Sequence, residues 1–246
     1  MSVGTLQITW LGHGGVLYRT GDGTHLWIDR WTGAPTYPAA YATPERVDIV
    51  APTHGHYDHI GENGKDILDL VEGREGVTIV CGHEMSIYLA AREIEAIGMN
   101  KGGTVEAGGI RFTMVNAVHS GGATITGGGE TQVTRDLGCW GWVLEFADGT
   151  VVYHSGDTDL FGDMALVRER FAPSIAVLPI GGHYTMGPRA AARAIDLLGV
   201  ATVVPVHFGT FPILTGTPDE LRSHTSAEVV SLQPGGTWQA SRSQLR

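Results

Sequence analysis

The sequence predicts an α+β fold in which two β-sheets pack face to face with helices outside. Three observations predict it. In each half of the chain, short strand-like segments separated by glycine-rich turns come first and helical segments trail them. A turn of identical composition, Asp22-Gly23-Thr24 and Asp148-Gly149-Thr150, opens a strand in each half and marks a duplicated β-then-α unit. Glycine supplies 36 of 246 residues, about twice its average share, as many tight turns require. Two such units bury their apolar faces by stacking their sheets and leaving the helices on the flanks.

Residues 6–10 and 16–20 read as strands, and Gly21-Asp22-Gly23 turns the chain into a third, 26–29. Residues 47–52 form an apolar run that stops at Thr53. Residues 67–71 and 86–97 read as helices, the second closed by Gly98 at its C-terminal end. Strands follow at 104–107, 110–118, 140–146 and 150–154. Helices at 164–171 and 189–198 then alternate with the buried strands 175–180 and 202–206. No linker composition divides the chain, so residues 1–246 are expected to form one domain.

Sixteen Lys+Arg against 26 Asp+Glu leave a formal charge of −10, which argues against nucleic acid or an anionic membrane as partner. No apolar stretch approaches the ~18 residues of a membrane span. No basic region followed by a long apolar core opens the chain, so a cytoplasmic protein acting on a small molecule is expected, with a homo-oligomer left open. Cys81 and Cys139 lie in no CxxC pair and cannot form a disulfide framework. Cys81 ends an apolar run and reads as core, and Cys139-Trp140-Gly141-Trp142 alternates like a strand face, as core or pocket wall.

The strongest chemical signal is Thr53-His54-Gly55-His56-Tyr57-Asp58-His59-Ile60-Gly61. It follows a buried strand, where a rigid scaffold aims loop residues. At i and i+2 on extended chain, His54 and His56 point the same way. A helical turn beginning near Asp58 swings Asp58 and His59 in another direction. One segment can thus feed two metal positions, as two-metal hydrolytic sites require. The pattern is expected by chance roughly once per thousand such chains. The alternative is a solvated histidine-rich loop, but four imidazole or carboxylate ligands around a glycine spacer suit Zn²⁺. His119, Asp157 and His207 each stand where an apolar strand meets a loop. Together the candidates are five histidines and two carboxylates, enough for two metals with a bridging aspartate.

At this point the chain resembles the metallo-β-lactamase superfamily, in its branch of small metal-dependent hydrolases akin to ascorbate-phosphate lactonases. The resemblance rests on Trp10-Leu11-Gly12-His13, the motif at 53–61, Ala117-Val118-His119-Ser120 and Tyr153-His154-Ser155-Gly156-Asp157-Thr158. It extends through the segment 179–188, which contains Gly181-Gly182-His183-Tyr184, and through Pro205-Val206-His207-Phe208-Gly209 to Pro212. It implies a four-layer αββα sandwich with a metal centre at the edge between the sheets. It assigns His54, His56 and His119 to one metal, Asp58, His59 and His207 to the other, and Asp157 to the bridge. Two positions depart from the family pattern: Arg30 stands where Pro is usual, and Gly14 where Ser is usual.

The remaining candidates carry paired readings. His13 is either near the metals or a hydrogen-bonded structural histidine. Asp29 either orients a ligand histidine from behind or caps a loop. His183 is a substrate-contact candidate in its glycine turn, and His154 reads as a packing or hydrogen-bonding residue of its strand end. His25, His83 and His224 read as surface or helix-end residues. The reading that follows is a hydrolase with two divalent metals, Zn²⁺ expected and Mn²⁺ or Fe as alternatives. A hydroxide held between the metals attacks an ester, lactone or amide, and Asp58 or a metal-bound water handles the proton. A phosphodiesterase on the same site is the rival. Iron redox chemistry or ligand binding without turnover is a different class, which fold alone does not decide. Residues 120–138, with six glycines, are expected to be mobile and to fold over the pocket mouth.

Overall fold

Turn chemistry sets the first sheet. Strands β1 (Gln7–Trp10), β2 (Val16–Arg19) and β3 (His25–Ile28) pair antiparallel. The β2–β3 turn is closed by the Thr24 N–H, which donates to Thr20 Oγ1 at 2.9 Å and Asp22 Oδ1 at 3.3 Å, while Gly23 takes φ +90°. Strands β4 (Ile49–Val50), β5 (Thr78–Gly82) and β6 (Ile97–Met99) then add in parallel. The computed structural model describes residues 5–127 and 130–240, and the side chains of 124–127 and 130–135 lie outside the description.

The second half repeats the plan. Strands β7 (Thr104–Ala107), β8 (Ile110–Asn116), β11 (Trp140–Glu145) and β12 (Val151–His154) pair antiparallel, and β13 (Ile175–Pro179), β14 (Thr202–Val206) and β15 (Glu228–Val229) follow in parallel. The β11–β12 turn reuses the first turn's chemistry, with the Thr150 N–H donating to Asp148 Oδ1 at 2.9 Å and Gly149 at φ +89°. Between β8 and β11, β9 (Gly122–Gly127) and β10 (Glu130–Asp136) form a separate two-stranded ribbon. Strand β16 (Thr237–Gln239) returns to the first sheet beside β1, so each sheet has seven strands.

Period-two alternation splits the second sheet's side chains between two cores. Trp142, Leu144, Val177 and Val204 face the first sheet. Val143, Tyr153, Ala176, Leu178 and Val203 face the outer helices α4 (Met164–Phe171) and α5 (Pro188–Leu198). Helix α5 has Pro188 at its first turn, buries Ala191, Ala194, Ile195 and Leu198 on one face, and ends on Gly199 in the left-handed region. Helices α2 (Lys65–Val71) and α3 (His83–Ala90) cover the first sheet through Ile67, Leu70, Met85 and Leu89. The fold is therefore the αββα sandwich that the sequence predicts. Tyr18 Oη and His154 Nδ1, 2.8 Å apart and buried, tie β2 to β12 across the inter-sheet core. Among the described residues, no helix is long and apolar enough to cross a membrane.

One element differs from expectation. The helix expected over 86–97 is α3, which ends at Ala90, and Ile97 belongs to β6, paired with Val80. Gly98 is not a helix cap. A Cβ there would meet Ser86 Oγ at 2.2 Å, so the glycine lets β6 pass close over α3. The 120–138 segment, expected to fold over the pocket mouth, holds the β9–β10 ribbon, and its residues 128–129 lie outside the described residues.

Candidate metal centre

Each candidate side chain follows a strand's C-terminal end at one edge of the sandwich: His13 after β1, Asp29 after β3, His54 after β4, His119 after β8, Asp157 after β12 and His207 after β14. His13, Asp29 and His207 take φ +48°, +48° and +55°, a left-handed conformation uncommon outside glycine that turns the chain sharply at the strand end. His56 is extended, with φ −66° and ψ 147°, and caps the single-turn helix α1 (Tyr57–Ile60). His54 and His56 thus come from extended backbone, Asp58 and His59 from a helical turn. The loop is anchored to the second sheet by a bridge between His54 and Cys139 and by the Trp140 N–H donating to Thr53 O at 3.1 Å.

Two donor groups flank Asp157, and a third, Asp29, His54 and His59, lies behind them. Ring nitrogens of His54, His56 and His119 cluster within 4.8 Å, and so do donor atoms of His13, Asp58, His59 and His207. Asp157 stands between them, its Oδ2 3.0 Å from His207 Nε2, 3.3 Å from His59 Nε2 and 3.7 Å from His119 Nε2. All seven side chains named from the sequence therefore converge, and His13 joins them.

Asp29 and Thr53 set the tautomers from behind. The Thr53 amide and hydroxyl both donate to the Asp29 carboxylate at 2.8 Å, so the hydroxyl oxygen accepts from His54 Nδ1–H at 3.0 Å. His54 Nε2 then keeps its lone pair, 3.0 Å from His56 Nδ1. His59 Nδ1–H donates to Asp29 Oδ2 at 2.7 Å, which turns Nε2 toward Asp157. His13 Nε2–H donates to Asp58 Oδ2 at 2.9 Å and its Nδ1 accepts from Thr210 Oγ1 at 3.0 Å. Asp29 is thus the orienting group of one reading and not merely a loop cap.

Burial holds His54 well below the usual imidazole range, and it lowers His56 and His119 as well, so all three stay neutral with lone pairs to give. His13 is pushed down to about 4, chiefly by burial. For Asp157, burial opposes charge, but His207 and His59 override it and hold the carboxyl well below its ordinary range. Asp58 is held down against burial by the hydrogen bond from His13 and by the nearby His207 and His59. In return, burial works against charge on His59 and His207, yet Asp157 raises both, His207 to about 9. Three carboxylates thus sit at the site, and among the described residues their ion-pair partners are histidines alone.

The donor set fits divalent cations. Two ligands about 2.1 Å from one tetrahedral Zn²⁺ stand about 3.4 Å apart. The 3.0 to 3.7 Å separations around Asp157 and the 3.0 Å between His54 and His56 suit that spacing. His59 Nε2 and both ring nitrogens of His207 are buried without a hydrogen bond, although both Nε2 atoms face Asp157 closely. A cation shared with the carboxylate would satisfy the two Nε2 atoms.

A cleft of about 460 Å³ opens over the centre, with His56, Asp58, His119, Asp157 and His207 in its floor and Tyr57, Tyr184, Phe211 and Ile213 in its walls. His183 is exposed and outside this lining; it packs edge-on against Tyr184 at 4.5 Å, and Tyr184 is the neighbour that reaches the cleft. Sequence reasoning did not find Thr53, Thr210 or the wall residues. It marked Gly14 only as a departure, and the structure supplies the reason: a Cβ there would lie 2.5 Å from His59 Cε1. Arg30, the other departure, donates from its backbone to His59 O at 2.6 Å and buries its guanidinium against Tyr37 Oη, Ala42 O and Asp66 O. The Cys139 thiol, buried and outside the cleft lining, donates to His119 O at 2.7 Å.

Residues 27–208 match the family described as the beta-lactamase superfamily domain. A UPF0173 metal-dependent hydrolase of Koribacter versatilis is 43% identical over 97% of this chain and 100% of its own length. Another, of Herpetosiphon aurantiacus, is 41% identical over 94% of this chain and 96% of its own. Among solved structures, Igni18, a metallo hydrolase of the archaeon Ignicoccus hospitalis, superposes with a TM-score of 0.79 at 33% identity, covering 96% of this chain and 99% of that one.

Proposed function

The chain belongs to the beta-lactamase superfamily, among its metal-dependent hydrolases, and from that premise we propose that it cleaves an ester, lactone or amide bond at a two-metal centre. His54, His56 and His119 would hold one divalent ion and Asp58, His59 and His207 the other, with Asp157 shared between the two sets. Zn²⁺ is the ion that this mixture of imidazole and carboxylate donors suits best. The observation that carries the proposal is the place of Asp157 Oδ2, within 3.7 Å of a ring nitrogen from each donor group.

Bound divalent ions supply a lowered water pKa and a polarised electrophile. The chain's own groups do the rest. The neutral lone pairs of His54, His56 and His119 and the carboxylates of Asp58 and Asp157 hold the charge in place. Asp58 reaches the cleft floor with one oxygen engaged by His13, and its ionised carboxylate takes the proton of the attacking water. The water oxygen adds to the acyl carbon, the acyl–heteroatom bond breaks, and the proton passes to the leaving heteroatom. Asp29 and Thr53 keep His54 and His59 in the tautomers this needs. Elemental analysis after growth in metal-replete medium should find up to two divalent ions per chain. Chelation should abolish turnover of a lactone, ester and phosphodiester panel, and Zn²⁺ or Mn²⁺ should restore it. Protein without bound metal, or a panel in which only phosphodiesters react, overturns the reading.

A further inference from the structure

From the walls of the cleft we infer that the substrate carries an uncharged apolar group, aromatic or branched aliphatic, beside its scissile acyl bond. The inference rests on the hydrolase reading and names the substrate class for that site. Among the described residues seven large apolar side chains are exposed, and three of them, Tyr57 at 40%, Tyr184 at 56% and Ile213 at 44%, line this one cleft. Apolar surface gathered at one place around a polar floor marks a binding surface, because covering it with a ligand releases water from both.

The wall is built before any ligand arrives. Trp31 stands edge-on to Tyr57 at 5.6 Å and 89°, and lies 5.6 Å from Phe211. Phe211 also meets the His13 ring at 5.5 Å, and His183 backs Tyr184 at 4.5 Å. Rings held by other rings lose little freedom when a substrate docks on them. The cleft's volume of about 460 Å³ falls in the range for small-molecule sites.

Charge points the same way. No Lys or Arg is among the described residues of the lining. The nearby Arg30 is buried and committed to Tyr37, Ala42 and Asp66. A phosphate or carboxylate held away from the metals would face tyrosine, phenylalanine and isoleucine with no countercharge, on a chain of net charge −10. The apolar group takes no part in bond making; its binding places the acyl carbon over the centre.

The test uses the metal-loaded full chain with γ-butyrolactone, its γ-phenyl derivative and its γ-phosphonomethyl derivative. Calorimetric binding of the three corresponding tetrahydrofurans, which cannot be hydrolysed, runs beside it. The phenyl lactone should exceed the parent by about tenfold or more in kcat/KM, and the phosphonomethyl lactone should fall below it. The phenyl ether should bind tightest. Tyr184→Ala with Ile213→Ala should shrink the phenyl preference to about twofold, and Ile213→Lys should raise the phosphonomethyl compound about tenfold relative to the phenyl one. Tyr184→Ala alone serves if the double variant does not fold. Preference for the phosphonomethyl compound, a phenyl preference that survives these variants, or absence of binding by the phenyl ether overturns the inference. Phenyl-ether binding without turnover of any of the lactones or of their open-chain ester and amide counterparts overturns the hydrolase reading and leaves the apolar site standing; turnover indifferent to the substituent does the reverse.

Discussion

His54, His56 and His119 form a group with light support: one threonine hydroxyl behind His54, Ser120 Oγ at 3.3 Å from His56, and a thiol on the carbonyl of His119. Asp58, His59 and His207 are held from several sides. Asp29 grips His59, His13 grips Asp58, the backbone of His207 donates to His13 O at 2.8 Å, and Thr210 fixes His13 in turn. His59 and His207 are each 1% exposed, whereas His56 reaches the cleft partly uncovered. In the first group His56 and His119 reach the cleft, while His54 is fully buried behind them. The second resembles a preset frame, and the strained backbone at His13, Asp29 and His207 belongs to it.

The sharpest test removes what the groups share. Under the proposed two-metal reading, Asp157→Ala leaves two cations without a common carboxylate, so they repel at short range. Metal content should fall from two ions to one or fewer, with kcat/KM reduced by about a thousandfold or more. Two metals and ordinary activity would show that the groups are independent.

A smaller effect separates them. His56→Ala and His59→Ala should both lose most activity, but added imidazole should restore part of it only to His56→Ala, whose vacated space opens on the cleft. Equal rescue of both would break the contrast between an open group and a buried one. Asp29→Asn keeps the shape and removes the charge behind His59. A chelator competition should find metal affinity weakened about 10- to 100-fold, with the less tightly held ion affected first.

The smallest effect checks that acid also acts on the scaffold between the donors, at His154. Burial holds His154 at about 4 in the folded chain, below its ordinary 6.5. The unfolded chain therefore binds this proton first as pH falls. The stability it contributes is complete above pH 6.5 and is lost on descending to about 4, at most about 3 kcal/mol. Urea unfolding at pH 7 and pH 5 should show a smaller difference in His154→Gln than in the parent protein. An unchanged difference would place the acid sensitivity elsewhere.

Much of the centre is local and so is legible in the chain. The His54–His59 spacing, an extended pair followed by a helical turn, places four donors in two directions whatever lies around them, because backbone periodicity alone does it. The repeated Asp-Gly-Thr turn likewise announces two matching hairpins, since Thr24 and Thr150 close each turn through the aspartate two residues before. Other features are settled only by contacts between distant segments. Helix and strand compete over 86–97, and β6 wins where Ile97 pairs with Val80 and Gly98 clears Ser86. Gly14 reads as a departure until the His59 ring is seen to occupy the space a side chain would need. Tyr184, not His183, reaches the cleft, because the backbone of a glycine turn decides which neighbour faces inward. Periodicity and turn chemistry along the chain dictate the donor types and their local directions. Tertiary structure decided how they are divided, backed and walled, because those depend on surfaces brought together by packing two sheets.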